Sequence, residues 1–313
     1  MNADDKNRTG HDHDTVDLHP ALLDAAALAP LSTSAQIRAE LAGQTHRGLV
    51  RPNNEDHFLA VRFGRSFEVV CSNLTADEIP YAVAEQGYGM LVADGMGGSA
   101  AGETASKLAI TTLLDLVLST PDWMLRTGDR EVRTVMHRMA QRYRDVDAAL
   151  AETARGDPEL EGMGTTMTLA CALGTQVVLA HVGDSRVYLL RDGKLTRMTR
   201  DHTVAQSLAD RGLLCPEDVA RHRLRSVLTQ CLGSGCLMRP EIRFVTIAPG
   251  DQLLLCTDGL TEMVKEAAIE SILREPRAVV ETCQVLIEQA LQNGGKDNVT
   301  VVLARFEEAT KSA

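Results

Sequence analysis

The stretch Gly89-Met90-Leu91-Val92-Ala93-Asp94-Gly95-Met96-Gly97-Gly98 constrains this chain more than any other. Its apolar run is short enough for a buried strand rather than a helix, and it stops at an acid. Asp94 then stands at the end of a rigid element that delivers a carboxylate into a cleft. The glycines behind it let backbone approach whatever that carboxylate holds. A rival reading takes Gly95-Met96-Gly97-Gly98-Ser99-Ala100 as G-x-G-x-x-A, a dinucleotide-binding turn. The acid expected at the end of a second parallel strand is missing: Asp115 has roughly the right spacing but lies in a helical stripe. An acid directly before the first glycine would also repel a pyrophosphate.

Further acids share the context of Asp94. Asp56, Asp258 and Asp297 each stand where an apolar strand meets a turn, with Asp184 a fifth. Any one of them is ordinary turn chemistry, because Asp-Gly and Asp-Asn favour turns. Strand ends that converge would instead gather several carboxylates, and such a cluster cannot stay ionised without cations. Oxygen-only ligands suit hard ions such as Mg²⁺ or Mn²⁺. A carboxylate bridging two of them supports a metal-bound hydroxide that attacks phosphorus. Arg51 is then the fork for the phosphate oxygens.

Composition excludes other classes. The chain has 313 residues, 44% hydrophobic and 24% charged, enough for a large core. Its formal net charge of -11 argues against nucleic-acid binding, which needs Lys and Arg patches. Seven cysteines include no C-x-x-C pair and no C-x5-R phosphate loop, so reduced thiols are expected and a cysteine nucleophile is excluded. No apolar run is long enough to span a bilayer and the start lacks a signal sequence, so a cytoplasmic protein without membrane attachment is expected.

In chain order, residues 1–43 read as a solvated extension, with a short helix over Ser34 to Leu41 as an option. A strand is expected over Phe58 to Phe63, and 64–86 reads as an irregular surface insertion. Helices are expected over 102–118 and 130–154, the second with a stripe of Val132, Val135, Met139, Val146 and Leu150. Strands follow over 165–173, 176–182 and 186–190. Residues 200–238 read as a charged, helical flap. Strands over 241–247 and 251–257, helices over 264–274 and 277–292, and a last strand over 299–306 complete the chain. The strands come in adjacent runs, which favours an antiparallel α+β architecture over a doubly wound parallel sheet.

Taken together, these residues resemble the metal-dependent protein phosphatases of the PP2C (PPM) class, most closely the bacterial Ser/Thr phosphatases paired with Hanks-type kinases. The resemblance runs from about Thr45 to Phe306. It is carried by Arg51-x-x-Asn54-Glu55-Asp56, Asp94-Gly95-Met96-Gly97-Gly98, Gly102-Glu103, Gly164-Thr165-Thr166, Gly183-Asp184-Ser185-Arg186, Thr257-Asp258-Gly259 and Asp297-Asn298-Val299-Thr300, in the family's order. It implies an αββα sandwich of two antiparallel sheets flanked by helices, over residues 44–308, with a tail at 309–313. It implies that Asp94 bridges two Mn²⁺ or Mg²⁺ ions, that the Gly95 carbonyl ligates one, and that Asp258 and Asp297 ligate the other. Glu55 and Asp56 would support the site, Arg51 would bind the phosphoryl group, and Asp184 with Asp258 would form a weaker third metal site. The implied activity is hydrolysis of phosphoserine and phosphothreonine in proteins, opposing a Ser/Thr kinase, by a monomer. A pseudophosphatase binding module and a phosphatase of another phosphoester are the alternatives. Met96 stands where animal members carry a histidine, so the leaving-group acid has no residue assigned to it.

Overall fold

The computed structural model describes residues 37–70, 82–97, 101–119, 129–235 and 238–309. Eleven strands among them form two antiparallel sheets. The first sheet has the order β1 (Ile37–His46), β11 (Val299–Glu308), β10 (Gln252–Cys256), β7 (Arg186–Arg191) and β8 (Lys194–Arg197). The second has the order β2 (Asp56–Glu68), β3 (Ala82–Met96), β5 (Met167–Leu173), β6 (Gln176–Val182) and β9 (Glu241–Thr246), with the short β4 (Gly164–Thr165) against the end of β3.

Strand alternation sorts the apolar side chains into layers. In β11, Val299, Val301 and Leu303 face a core built with α5 (Glu266–Arg274) and α6 (Val279–Gln292). Val302, Ala304 and Phe306, on the opposite face, join the core between the sheets. In β3, Met90 and Val92 point into that same inter-sheet core. Leu91 and Ala93 face α1 (Ala101–Leu118) and α2 (Asp129–Gly156). Three apolar layers separate four layers of structure, which is the αββα sandwich. The stretch that ends at Asp94 is thus covered on both faces, and this is why it reads as a continuous apolar run. In the α2 stripe, Met139, Val146 and Leu150 are buried and joined by Tyr143, whose hydroxyl donates to the Ala180 carbonyl at 2.8 Å. The side chain of Val132 lies outside the described residues.

Several expectations need correction. The option of a helix over Ser34 to Leu41 fails: residues from Ile37 onward are β1, paired with β11 over ten residues. The folded unit therefore reaches back past the expected boundary at 43. The stretch 64–86 is not simply irregular. Gly64–Glu68 and Ala82–Gln86 continue the β2–β3 ladder, and only 71–81 lie outside the described residues. The flap is less helical than its charge pattern suggested. It holds α3 (Val204–Asp210) and a short 3₁₀ turn over Pro216–Arg221, while much of the rest is turn. Thr203 caps α3 by accepting from the Gln206 N–H at 3.2 Å.

Candidate active site

Strands from both sheets end at one edge of the sandwich. Asp56, the first residue of β2, is the register partner of Asp94 on β3. Asp184 follows β6. Asp258 opens the single-turn helix α4 (Asp258–Thr261) directly after β10, and Asp297 lies just before β11. A cleft of about 800 Å³ is lined by Arg51, Glu55, Asp94, Gly95, Asp184, Asp258 and Asp297, with Arg225, Ser226 and Leu228 on its flap side. Asp56 sits beneath it, 3% exposed.

Asp94 and Asp56 are held by local hydrogen bonds. The Asp94 N–H donates to Thr166 Oγ1 at 3.0 Å, and its carbonyl accepts from the Thr166 N–H and from Thr165 Oγ1. Thr166 Oγ1 also lies 2.9 Å from Ser185 Oγ, which ties Asp94 to the Gly183-Asp184-Ser185 corner. Asp56 Oδ2 accepts from Thr257 Oγ1 at 2.8 Å and Thr300 Oγ1 at 2.7 Å. Asn298 organises the opposite wall. Its Oδ1 accepts from the Glu55 N–H at 2.8 Å, and its Nδ2 donates to the carbonyls of Arg47 and Asn53. The segment carrying Arg51 is thereby tied to the residue after Asp297. Thr165, Thr166, Thr257, Asn298 and Thr300 stand inside the sequence motifs, but sequence reasoning gave them no role. For Thr257 and Asn298 the available signal was their position next to Asp258 and Asp297.

The glycines serve the protein more directly than expected. A Cβ on Gly95 would meet the Gly102 carbonyl oxygen at 2.0 Å, and one on Gly259 would meet the Asn298 oxygen at 1.9 Å. What approaches these glycines is neighbouring backbone, which packs the acid-bearing turns against each other.

The electrostatics are those of crowded, desolvated acids. Burial pushes the Asp56 and Asp258 carboxyls up to about 7. Burial, then repulsion from Asp56, Asp258, Asp184 and Asp297, holds Asp94 well above the usual carboxylate range. Asp184 is raised by burial and by Asp258. Asp56 Oδ1 and Asp258 Oδ1 are buried and have no hydrogen-bond partner. Hard cations fit this donor set: all oxygen, acidic, and left with buried acceptors that no protein donor reaches. Among the described residues no three acidic, imidazole or thiol side chains form a ready-made coordination group. Instead Arg51 Nη2 donates to Asp297 Oδ2 at 2.6 Å and takes that acid toward the cleft mouth. The sequence thus brings all the expected residues to one cleft, with Asp56 just below it. It did not foresee the Arg51–Asp297 ion pair.

A sandwich of this topology, with acids from both sheets gathered at one edge, defines the class, and comparison with known proteins agrees. The protein phosphatase 2C family model matches residues 72–294. The chain belongs to this family, in the branch of the bacterial PP2C-type Ser/Thr phosphatases. It is similar to the serine/threonine protein phosphatase PstP of Mycobacterium tuberculosis, 39% identical over 263 residues, which cover 84% of this chain and 44% of PstP. This chain therefore spans less than half of that relative. It is 36% identical over 260 residues to the serine/threonine phosphatase stp of Listeria innocua, covering 83% of this chain and 93% of that one. The crystal structure of the Mycobacterium tuberculosis phosphatase PstP/Ppp superposes with a TM-score of 0.69 at 38% identity, covering 86% of this chain and 99% of that one. The PstP catalytic domain in complex with two manganese ions superposes with a TM-score of 0.67 at 36% identity, covering 87% and 99%. Among the described residues no helix is long and apolar enough to cross a membrane.

Proposed function

We propose that this protein hydrolyses phosphoserine and phosphothreonine in other proteins, in opposition to a Ser/Thr kinase, using divalent metal ions. The observation that carries this reading is the meeting of Asp94, Asp184, Asp258 and Asp297 in one cleft with Arg51 at its mouth. Asp94, the Gly95 carbonyl, Asp258 and Asp297 would hold two Mn²⁺ or Mg²⁺ ions. Glu55 and Asp56 would support them, and Asp184 with Asp258 would provide a weaker third site. When bound, the ions supply an activated water and the positive charge that a chain of net charge -11 lacks. Arg51 would leave Asp297 and present its donors to the phosphoryl oxygens, a planar fork meeting a tetrahedral anion. Thr165 and Thr166 would fix the Asp94 backbone, from which the carboxylate projects, so that little reorganisation is needed during turnover.

The chain would act as a monomer in a reducing, cytoplasmic setting. The unbridged thiols of Cys171, Cys215, Cys256 and Cys283 support that setting. The test is the Asp94→Asn variant on a phosphothreonine peptide with Mn²⁺. Turnover should fall by at least about 10²-fold with the fold intact by circular dichroism, because a neutral amide would hold divalent cations far less well than a carboxylate. Retention of most activity would overturn the metal role. Hydrolysis of p-nitrophenyl phosphate alone, with the peptide untouched, would point to another phosphoester.

A further inference from the structure

Gly183 opens the corner that carries Asp184 into the cleft. It is buried, its φ is +113°, and a Cβ on it would lie 2.5 Å from Thr166 Cβ. No side chain can stand there to anchor the turn. One residue, His202, answers both backbone polar groups of Gly183. The Gly183 N–H donates to His202 Nδ1 at 3.2 Å, and the Gly183 carbonyl accepts from the His202 N–H at 2.7 Å. On the other side of Asp184, Ser185 Oγ lies 2.9 Å from Thr166 Oγ1. The corner is therefore clamped both before and after its acid. His202 is not among the residues that line the cleft.

His202 is itself held from several directions. Its carbonyl accepts from the Thr229 N–H at 2.8 Å, on the returning arm of the flap. The next residue, Thr203, caps α3. Its ring packs against that of His181 near the end of β6, with centroids 4.9 Å apart and planes tilted by 36°. His181 is buried and fixed at both nitrogens. Its Nε2 donates to the Arg200 carbonyl at 3.1 Å, which leaves Nδ1 to accept from Thr168 Oγ1 at 2.8 Å. The His202 ring thus rests on a floor that cannot turn. Its Nδ1 accepts from an N–H and so carries no proton, and the neutral ring keeps its proton on Nε2.

We propose that His202 is a positioning residue for the reaction. By holding Gly183 it sets the direction in which Asp184 enters the cleft, and with it how firmly the Asp184 side of the site holds a divalent ion. Without the imidazole, the Gly183 N–H would be a buried donor with no acceptor, and the corner would turn to find one. His202 would touch neither substrate nor ion. The inference rests on the phosphatase reading above.

Two substitutions separate the acceptor from the bulk of the ring. His202→Leu fills much of the ring's place and removes the acceptor. His202→Asn gives up the bulk but keeps an acceptor bonded to Cγ, where Nδ1 stands. Hydrogen exchange of the segment containing Gly183 is followed in metal-free protein, and the Mn²⁺ concentration for half-maximal turnover of p-nitrophenyl phosphate is measured separately. The weakest of the proposed ion sites, the one at Asp184, sets that concentration. His202→Leu should speed the exchange and raise the Mn²⁺ requirement by about 5–10-fold, as expected of one lost hydrogen bond to buried backbone. His202→Asn should keep both within about twofold of the wild type. The proposal is overturned if His202→Leu behaves as the wild type, or if His202→Asn is impaired as much as His202→Leu. Should His202→Leu not fold, His202→Ala removes the acceptor in its place. If the wild type turns over neither p-nitrophenyl phosphate nor a phosphothreonine peptide, the phosphatase reading fails, while the metal-free exchange still decides whether His202 holds the corner.

Discussion

Asp258 places a carboxyl oxygen in a buried position with no donor to meet it, and Asp56 does the same beneath it. Such groups cost free energy unless a cation or a proton answers them. For Asp258 the folded carboxyl titrates near 7 against 3.8 for the free residue. A raised acid pKa means that the fold opposes ionisation, so stability is intact below the unfolded value and is lost as pH rises through the folded one. In a chelator, the wild type should lose stability relative to Asp258→Asn between about pH 4 and 8, by an amount on the order of a few kcal/mol. A flat difference in urea midpoints over that range would show that the carboxyl is not desolvated. Arg51 belongs to the same scale. It is 55% exposed and bound to Asp297, so its exchange from acid to phosphate concerns substrate capture. Arg51→Ala should raise KM more than it lowers kcat, and the reverse pattern would place the arginine in the transition state.

At the scale of elements, β1 is the instructive case. Ile37-Arg38-Ala39-Glu40-Leu41 alternates apolar and polar residues for only five positions before Ala42 breaks the pattern, and alanine, glutamate and leucine all favour helix, so the local text is ambiguous between helix and strand. Its conformation comes from β11, whose ten-residue ladder pairs it from Ile37 to His46. Packing against α6 completes the strand: Cys283 Sγ lies 3.7 Å from the Ala42 carbonyl, and Ala42 is 7% exposed. Ala42→Asp would bury a carboxylate there without a partner and should cost about 3 kcal/mol or more. An unchanged thermal midpoint would mean that β1 is not held as described. The flap failed for a related reason. Its charges suggested helix faces, but Asp201, Asp210 and Glu262 are spent on Arg186, Arg197, Arg200 and Arg225 across turns. Charge patterning alone does not distinguish the two uses. By contrast β3, α1 and α6 were legible because apolar runs and 3.6-residue stripes report burial directly.

The whole molecule closes two sheets so that strand ends from each meet at one rim. The acids arrive from β2, β3, β6, β10 and β11, far apart in sequence, and no local interaction holds them together. Their mutual repulsion is sustained by the three apolar cores, and a bound cation would relieve it. Mn²⁺ should therefore raise the melting temperature, and more at pH 8 than at pH 5, where protons already occupy the carboxyls. A shift independent of pH would mean that the ions bind elsewhere.

The linear text was enough to pick out residues that line one cleft, because turn acids behind buried strands leave a local signature of apolar run, acid and glycine. It was also enough to announce an antiparallel α+β chain, since runs of adjacent strands say so. It could not show that Asn298 ties the Arg51 segment to the turn after Asp297, that Arg51 lies on that acid, or that Arg186 and Arg197 share Asp201. Those partnerships link residues that meet only after both sheets have formed. They depend on distance and desolvation, which a sequence does not carry.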